Sequence, residues 1–348
     1  MSIVILRNEL PDSSKKWELA CDRKNLSYTT IDLTSHNWFE QIRNAKPSLL
    51  LLKPSGLTAP YKELYDERIR VLVEECNLPC YPSVKSVLLY ENKRFLSFWL
   101  KSNDIDHPET FVFYKKQEAS HFANNNEDFP IVAKTNIGAS GSGVTILKSK
   151  NDLELYIYNT FSGMGAMKRR GPNLKKGGLL KRGFKLLLNP KKLKSKIEVY
   201  EARAADIQKN FILLQEFIPH DYEWRVVRIG KSFFAHKKLI KDDKTSGSLE
   251  KSYENPPVEL FEFVRNLTDT HDLDSVSVDL FYHNGIYLVN EIQCIFGQSD
   301  SFQMKVNETI GRYTFLKNNW VFEAGDFNTN ESYDLRLSHA LLKHSIEE

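Results

Sequence analysis

Three groups of residues in this 348-residue chain have the types and spacing to handle a phosphate, a metal ion and a planar base. The first is Lys134 with the loop Gly138-Ala-Ser140-Gly141-Ser142-Gly143. Small residues let backbone N–H groups come close to an anion. The spacing is not a Walker loop, because no Gly-Lys-Ser/Thr follows. It is not a dinucleotide fingerprint either, because a strand and not a helix comes next. Lys134 closes the apolar run Ile131-Val-Ala, where a strand points it inward, and a buried ammonium needs a negative partner such as a phosphate. A plain mobile hairpin with a surface lysine at the strand end is the alternative for the same residues.

The second group is Val276 to Gln293, which holds Asp279, Glu291 and Gln293 around Asn284-Gly285, a strong hairpin signal. Turn length decides whether the acids can cooperate. With a two-residue turn Asp279 faces Asn290, and Glu291 points away. With a three-residue turn ending in Gly285, Asp279 faces Val289, and Glu291 and Gln293 share its face. Glycine in last place favours the three-residue turn. Two carboxylates and an amide oxygen on one face are hard ligands that suit Mg²⁺. An ordinary hairpin with a polar solvent face is the plain alternative. The third group is Gln215-Glu216-Phe217-Ile218-Pro219 followed by Glu223-Trp224-Arg225. An apolar strand there runs into a short linker whose backbone could hydrogen-bond a base.

These groups need elements to hold them. Strands at Ile3–Leu6, Thr29–Leu33 and Ser48–Leu52 alternate with helical stretches at Trp38–Asn44 and 61–76. That pattern predicts a small parallel-sheet α/β domain over 1–90. A helix over 91–101, strands at 111–114, 131–134 and 144–147, and helices at 152–160 and 198–209 follow. The remaining expected divisions are 91–210 with a basic insertion over 163–197, 211–324 with the hairpin, and a polar tail or helix over 325–348. The composition is 41% hydrophobic and 27% charged, as in ordinary globular proteins. A net charge of +3 identifies neither a nucleic acid nor a membrane as partner. The longest aliphatic run is Leu49–Leu52, so no membrane span is expected. The amino terminus lacks the features of a signal peptide. Four scattered cysteines read as unlinked thiols, and a cytoplasmic location is expected.

Five segments in order resemble the ATP-grasp superfamily, especially the branch of the ribosomal-protein glutamate ligase and glutathione synthetase. ENKRFLSFWLKSNDIDHPETFV resembles its helix with an opening lysine, and FPIVAKTNIGASGSGV its lysine strand and glycine loop. LLQEFI is similar to the adenine hinge, EWRVVRIG to the strand after it, and VDLFYHNGIYLVNEIQ to the metal hairpin. The resemblance covers roughly residues 85 to 300. It implies a mixed fold, α/β with α+β character in the grasp: the small N-terminal domain followed by a two-subdomain ATP-grasp. It also implies ATP and Mg²⁺ as cofactors, with Mn²⁺ able to substitute. Lys93 and Lys134 would contact the phosphates and the adenine edge, with Ser140, Gly141, Ser142 and Gly143 over the β- and γ-phosphates. Gln215, Glu216, Phe217 and Ile218 would flank the adenine, and Glu223 would take the ribose hydroxyls. Asp279, Glu291 and Gln293 would hold the metal, and Arg225 and Lys238 would neutralise a phosphate or acyl-phosphate. Gln293 stands where the family usually has Asn, and Ser277 where it usually has Gly. His236-Lys237-Lys238 replaces a segment that usually carries arginine.

The function implied is an ATP-dependent carboxylate–amine ligase acting through an acyl-phosphate. A kinase on the same fold and a nucleotide-gated binder of an anionic polymer are the alternatives. The substrate would be a small molecule, a peptide or a glycan; a homo-oligomer is compatible with all of these readings. From Lys168 to Lys196 there are twelve basic residues and no acidic one. Such a stretch either draws in an acidic substrate or is a solvated insertion. Deleting 168–196 should lower turnover of an acidic acceptor at low salt and have little effect at high salt. Equal activity at both salt concentrations removes the steering role.

Overall fold

The computed structural model describes residues 2–10, 12–138, 143–166, 190–241, 244–245, 250–296 and 300–345. The aliphatic runs near the amino terminus form parallel strands covered on both sides. These are β1 (Ile3–Arg7), β2 (Tyr28–Asp32), β3 (Leu49–Leu52) and β4 (Cys80–Tyr81), in the order β2-β1-β3-β4. The helices in this part are α1 (Lys15–Arg23), α2 (Trp38–Ala45), α3 (Ala59–Arg70), α4 (Val84–Leu89) and α5 (Lys93–Ser102). One face of the sheet buries Val4, Leu6, Leu50 and Leu52 with Tyr65 and Ile69 of α3. The other buries Ile3, Ile5, Leu49 and Leu51 with Trp17 of α1.

A second sheet joins β5 (Thr110–Phe113), β6 (Ile131–Lys134), β7 (Val144–Leu147) and β8 (Ile212–Glu216) in the antiparallel order β5-β8-β6-β7. Alternate residues Ile131, Ala133, Ile212 and Leu214 pack on α6 (Lys116–Asn125) and α7 (Lys150–Phe161). α6 has no counterpart among the expected elements, and its buried residues are two alanines one turn apart, Ala119 and Ala123. The expected helix at 198–209 is α8, Pro190–Ala205. It starts within the basic stretch, so Lys191, Lys192, Lys194 and Lys196 lie on a helix and not in a loop. Residues 167–189, the rest of that stretch, are outside the described residues.

The largest sheet follows the order β14-β13-β9-β10-β16-β15. Its central strands are β9 (Tyr222–Ile229), β10 (Ser232–Lys241), β13 (Ser275–His283) and β14 (Ile286–Gln293). Of the short strands, β11 (Lys244–Thr245) and β12 (Lys251–Ser252) pair with β10. β15 (Lys305–Val306), β16 (Thr309–Leu316) and β17 (Asn319–Ala324) complete the sheet beyond β10. Helix α9 (Val258–His271) supplies Leu260, Phe261 and Val264 to the core beneath it. The tail forms α10 (Tyr333–Lys343). Its Tyr333, Leu337, Ala340 and Leu341 pack against Trp17 and the first sheet.

The chain divides into two compact units. One comprises Met1–Ser55, Pro60–His107 and His220–Glu348, and the other Gly56–Ala59 and Pro108–Pro219. The parallel sheet and the large antiparallel sheet therefore belong to a single unit. No helix among the described residues is long and apolar enough to cross a membrane. Leu337→Ala opens a cavity in the fully buried contact between α10 and the first sheet. It should lower unfolding stability by about 2–5 kcal/mol, read from a urea denaturation curve.

Candidate active site

In the smaller unit, Lys134 closes β6 directly opposite Leu213 of β8. Directly paired residues share a sheet face, so Lys134, Leu213 and Gln215 face one way while Ala133 and Leu214 face the helices. Lys134 is 9% exposed, an interior lysine as the sequence suggested. Gln215 is buried and donates from Nε2 to Thr110 Oγ1 at 3.1 Å. Beyond it Glu216 is exposed, Phe217 half-buried and Ile218 buried. The Glu216 N–H donates to the Glu109 carbonyl at 2.8 Å, and its carboxylate accepts from the Glu109 N–H at 3.2 Å. At the foot of the glycine loop, the Thr135 N–H donates to the Gly143 carbonyl at 2.8 Å. A Cβ on Gly143 would come within 1.7 Å of Thr135 Oγ1, so the position admits only glycine without local rearrangement. Ser140, Gly141 and Ser142 lie outside the described residues.

In the larger unit the hairpin is organised differently from either expected register. The turn is two residues, Asn284-Gly285, with His283 paired to Ile286 and positive φ at both turn residues. That is the primed turn that Asn-Gly favours. The register then shifts between Asp279 and Leu280, where Asn290 forms a bulge, so Asp279 pairs with Glu291 and Ser277 with Gln293. The three-residue turn is thus replaced by a tight turn plus a bulge, and the extra residue returns Glu291 and Gln293 to the face of Asp279. Bulges are over-represented next to active sites because they re-aim side chains in this way.

Three adjacent strands place an ion cluster on that face. Asp279 pairs with Arg225 of β9, and Arg225 with His236 of β10, beside the pair Glu223–Lys238. Arg225 grips Asp279 with two parallel bonds, Nε to Oδ1 at 2.7 Å and Nη2 to Oδ2 at 2.8 Å. Lys238 donates to Asp279 Oδ2 at 2.8 Å and also to Glu223. Asp279 is 1% exposed; burial alone would raise its pKa, but Arg225 and Lys238 outweigh that and hold it well below the ordinary carboxylate range. Burial opposes the charge on Lys238 too, while Asp279 and Glu223 raise its pKa overall. Losing one partner of such a buried cluster costs about 3–5 kcal/mol, because the others keep uncompensated charge.

At the rim Lys93, the first residue of α5, lies 3.6 Å from Glu91 and 3.8 Å from Glu291. Burial works against its charge, and the two glutamates more than offset this, so its pKa is raised. Asn92 caps α5 by accepting from the Phe95 N–H at 3.2 Å, which seats Lys93 in the first turn. Glu91 was not singled out in the sequence, although it stands two residues before Lys93. Neither was Asn290, whose side chain donates to Glu223 at 3.1 Å.

The structure therefore brings together Lys93, Glu223, Arg225, Lys238, Asp279 and Glu291 in one unit, and Lys134 and Gln215 on one sheet face of the other. Among the described residues no group of three or more His, Cys, Asp or Glu could hold a metal ion. The donor set here is smaller: Asp279 and Glu291 with the amide of Gln293. It still fits Mg²⁺ in kind. Asp279 has about four lone-pair sites and three are engaged. Glu291 keeps an oxygen for a ligand beyond its 3.8 Å approach to Lys93, and its side chain is 24% exposed. The described carboxylates Glu91, Glu223, Asp279 and Glu291 also outnumber the cations Lys93, Arg225 and Lys238.

No protein-family model matches the chain, and no curated protein matches it. Solved structures do. A D-alanine–D-alanine ligase from Bacillus anthracis matches over 100% of both chains at TM-score 0.56 and 16% identity. A RimK-domain ATP-grasp protein from Sphaerobacter thermophilus matches over 84% of this chain and 90% of that one, at 0.51 and 13%. N5-carboxyaminoimidazole synthetase from Staphylococcus aureus, complexed with ADP, matches over 97% and 76%, at 0.55 and 11%. At these identities the likeness is one of fold. The chain has the ATP-grasp fold, a parallel α/β part followed by antiparallel sheets with helices, as the five ordered segments led one to expect.

His236 is buried beside Arg225 and Lys251, and burial first, then those charges, push its pKa down to about 3. A histidine whose folded pKa lies below 6.5 gives stability that is full above pH 6.5 and is lost as pH falls toward 3. Between pH 6.5 and 5 this amounts to about 2 kcal/mol. His236→Gln should flatten the fall in the urea midpoint over that interval; an unchanged slope would place the titration elsewhere.

Proposed function

We propose that the protein is an ATP-dependent carboxylate–amine ligase that forms an amide through an acyl-phosphate. The observation that carries this reading is the hairpin pair Asp279–Glu291, set on one sheet face against Arg225, Lys238 and Lys93. Buried acids and cations interleaved in this way are suited to a strongly charged ligand that is itself bound with a cation. The ATP-grasp fold supports the reading, as does the ADP bound in one of the similar structures.

In this reading the residues that the resemblance points to would each serve ATP. Lys134 and Lys93 would meet the phosphates, the glycine loop 138–143 would cover them, and Gln215 with the backbone of Glu216, Phe217 and Ile218 would flank the adenine. Glu223 would take the ribose hydroxyls. Asp279, Glu291 and Gln293 would hold Mg²⁺, with Mn²⁺ as a substitute, and the ion would supply positive charge to the phosphates. A carboxylate oxygen of the substrate attacks the γ-phosphorus, the bond to the β-phosphate oxygen breaks, and ADP leaves. Arg225 and Lys238 would neutralise the phosphoryl oxygens as charge builds on them. An amine then attacks the acyl carbon, the carbon–oxygen bond to phosphate breaks, and one proton is lost from nitrogen.

Little acid–base machinery is needed for the first step, which is in keeping with a site built of permanent charges. The finer reading of an acidic peptide or glycan substrate rests on the basic stretch 168–196, and that of a cytoplasmic enzyme on the scattered, unlinked cysteines. ADP release should appear in a screen of carboxylic acids with amines when ATP and Mg²⁺ are supplied, and inorganic phosphate should appear only when the amine is present. Glu291→Gln, which removes a charge and keeps the shape, should lower kcat by about 100-fold. ADP release that yields a phosphorylated product and needs no amine would mark a kinase.

A further inference from the structure

Within the larger unit, α10 carries an arginine whose donors find no hydrogen-bond partner among the described residues. Arg336 is 1% exposed, and neither its Nε nor either Nη has a hydrogen-bond partner. Its guanidinium lies over the Phe296 ring, with Cζ 4.1 Å from the centroid, and 4.9 Å from that of Tyr333. Aromatic faces stabilise a cation but leave its five N–H donors without proper acceptors. A buried, unpaired charge is among the least favourable groups a fold can contain, unless an anion comes to meet it.

A second cation reaches the same ring. Lys53, the residue after β3, donates to the Tyr333 hydroxyl at 3.1 Å and makes no ion pair with any described carboxylate. It stands at the carboxyl end of a parallel strand, the edge at which open α/β sheets take their ligands. Lys62 is also close, but it is engaged by Asp66 and by the Val87 carbonyl. Cys294 lies within electrostatic reach of Lys62, Arg336 and Lys53. The walls are aromatic. Trp17 meets Tyr333 edge-on at 4.8 Å and Tyr81 at 6.1 Å. The Tyr81 hydroxyl is buried, close to Ser275, and feels the charge of Arg336.

We infer that Arg336 and Lys53, at the ring face and the hydroxyl edge of Tyr333, form a subsite that anchors a carboxylate of one substrate. This rests on the ligase reading and deepens it. The anchored carboxylate is not the one activated, so one of the two substrates is an amino acid or a dicarboxylic acid and not a simple amine or monoacid. A carboxylate accepts the two parallel bonds of the guanidinium fork; a phosphate can do the same, so the test sets the two against each other.

Thermal unfolding of the full chain tests this with succinate, L-glutamate, uncharged succinamide and inorganic phosphate at matched ionic strength. Succinate or glutamate should raise the wild-type Tm by about 2 °C or more, and succinamide should not. Arg336→Met should lose that shift while its ligand-free Tm equals or exceeds the wild-type value, since an unpaired buried charge has been removed. Lys53→Met should weaken the shift. The inference is overturned by an equal shift in Arg336→Met, by stabilisation from phosphate alone, or by a ligand-free Tm that falls several degrees in Arg336→Met, which would make Arg336 a packing group. MgADP serves as the separate control. Its shift should be the same in wild type and Arg336→Met, and its absence from wild type would count against the ligase reading, not against the subsite.

Discussion

Arg225 and Asp279 meet across two neighbouring strands, deep in a sheet where neither charge could stay alone. Much of the larger unit follows from that contact. Lys238 adds a second donor to the same carboxylate and reaches Glu223, so three strands are tied through side chains as well as through their backbone ladder. Such a cluster is a poor source of net stability compared with an apolar core of the same volume. What it provides is fixed positions for charge, already desolvated and oriented before a ligand arrives. Preorganised charge of this kind is what phosphoryl chemistry asks of a protein.

The bulge at Asn290 belongs to the same constraint. Asn-Gly imposes a two-residue turn, and a regular ladder from that turn would send Glu291 to the core side beside Val278 and Val289. One extra residue in β14 resolves the conflict between turn chemistry and site chemistry. Asn290 is then left over by the ladder and finds a bonding partner in Glu223. Local backbone irregularity and the charge cluster are thus two aspects of one solution.

Charge is used differently around Asp279 and around Tyr333. Around Asp279 every described cation has a carboxylate within reach, and the electrostatics are nearly closed. Around Tyr333 two cations approach one aromatic ring without a described carboxylate of their own. The first arrangement suits a ligand that brings its own counter-cation; the second suits a bare anion. The chain thereby has two chemically distinct charged environments within one compact unit.

Patterns of short range were enough to mark out the first three strands, those of the lysine sheet and the hairpin, the lysine at the end of β6, the place of the Asn-Gly turn though not its length, and the order of segments that resembles the ATP-grasp proteins; β4, β10 and β15 to β17 were not among the expected strands. Each depends on neighbours within a few residues, where apolar runs and turn residues act directly on the backbone. Helix α6 escaped because its buried face is two alanines, too weak a signal beside Lys, Gln and Asn. The register of β14 escaped because a bulge five residues past the turn resets it, and the turn residues carry no signal for that extra residue. Arg336 looked like part of a polar tail, and only the packing of α10 on a sheet formed by the first fifty residues takes its charge out of water. Spacing along the chain could propose which groups carry chemistry; which of them lose their solvent, and what then neutralises them, is decided by contacts between segments far apart in sequence.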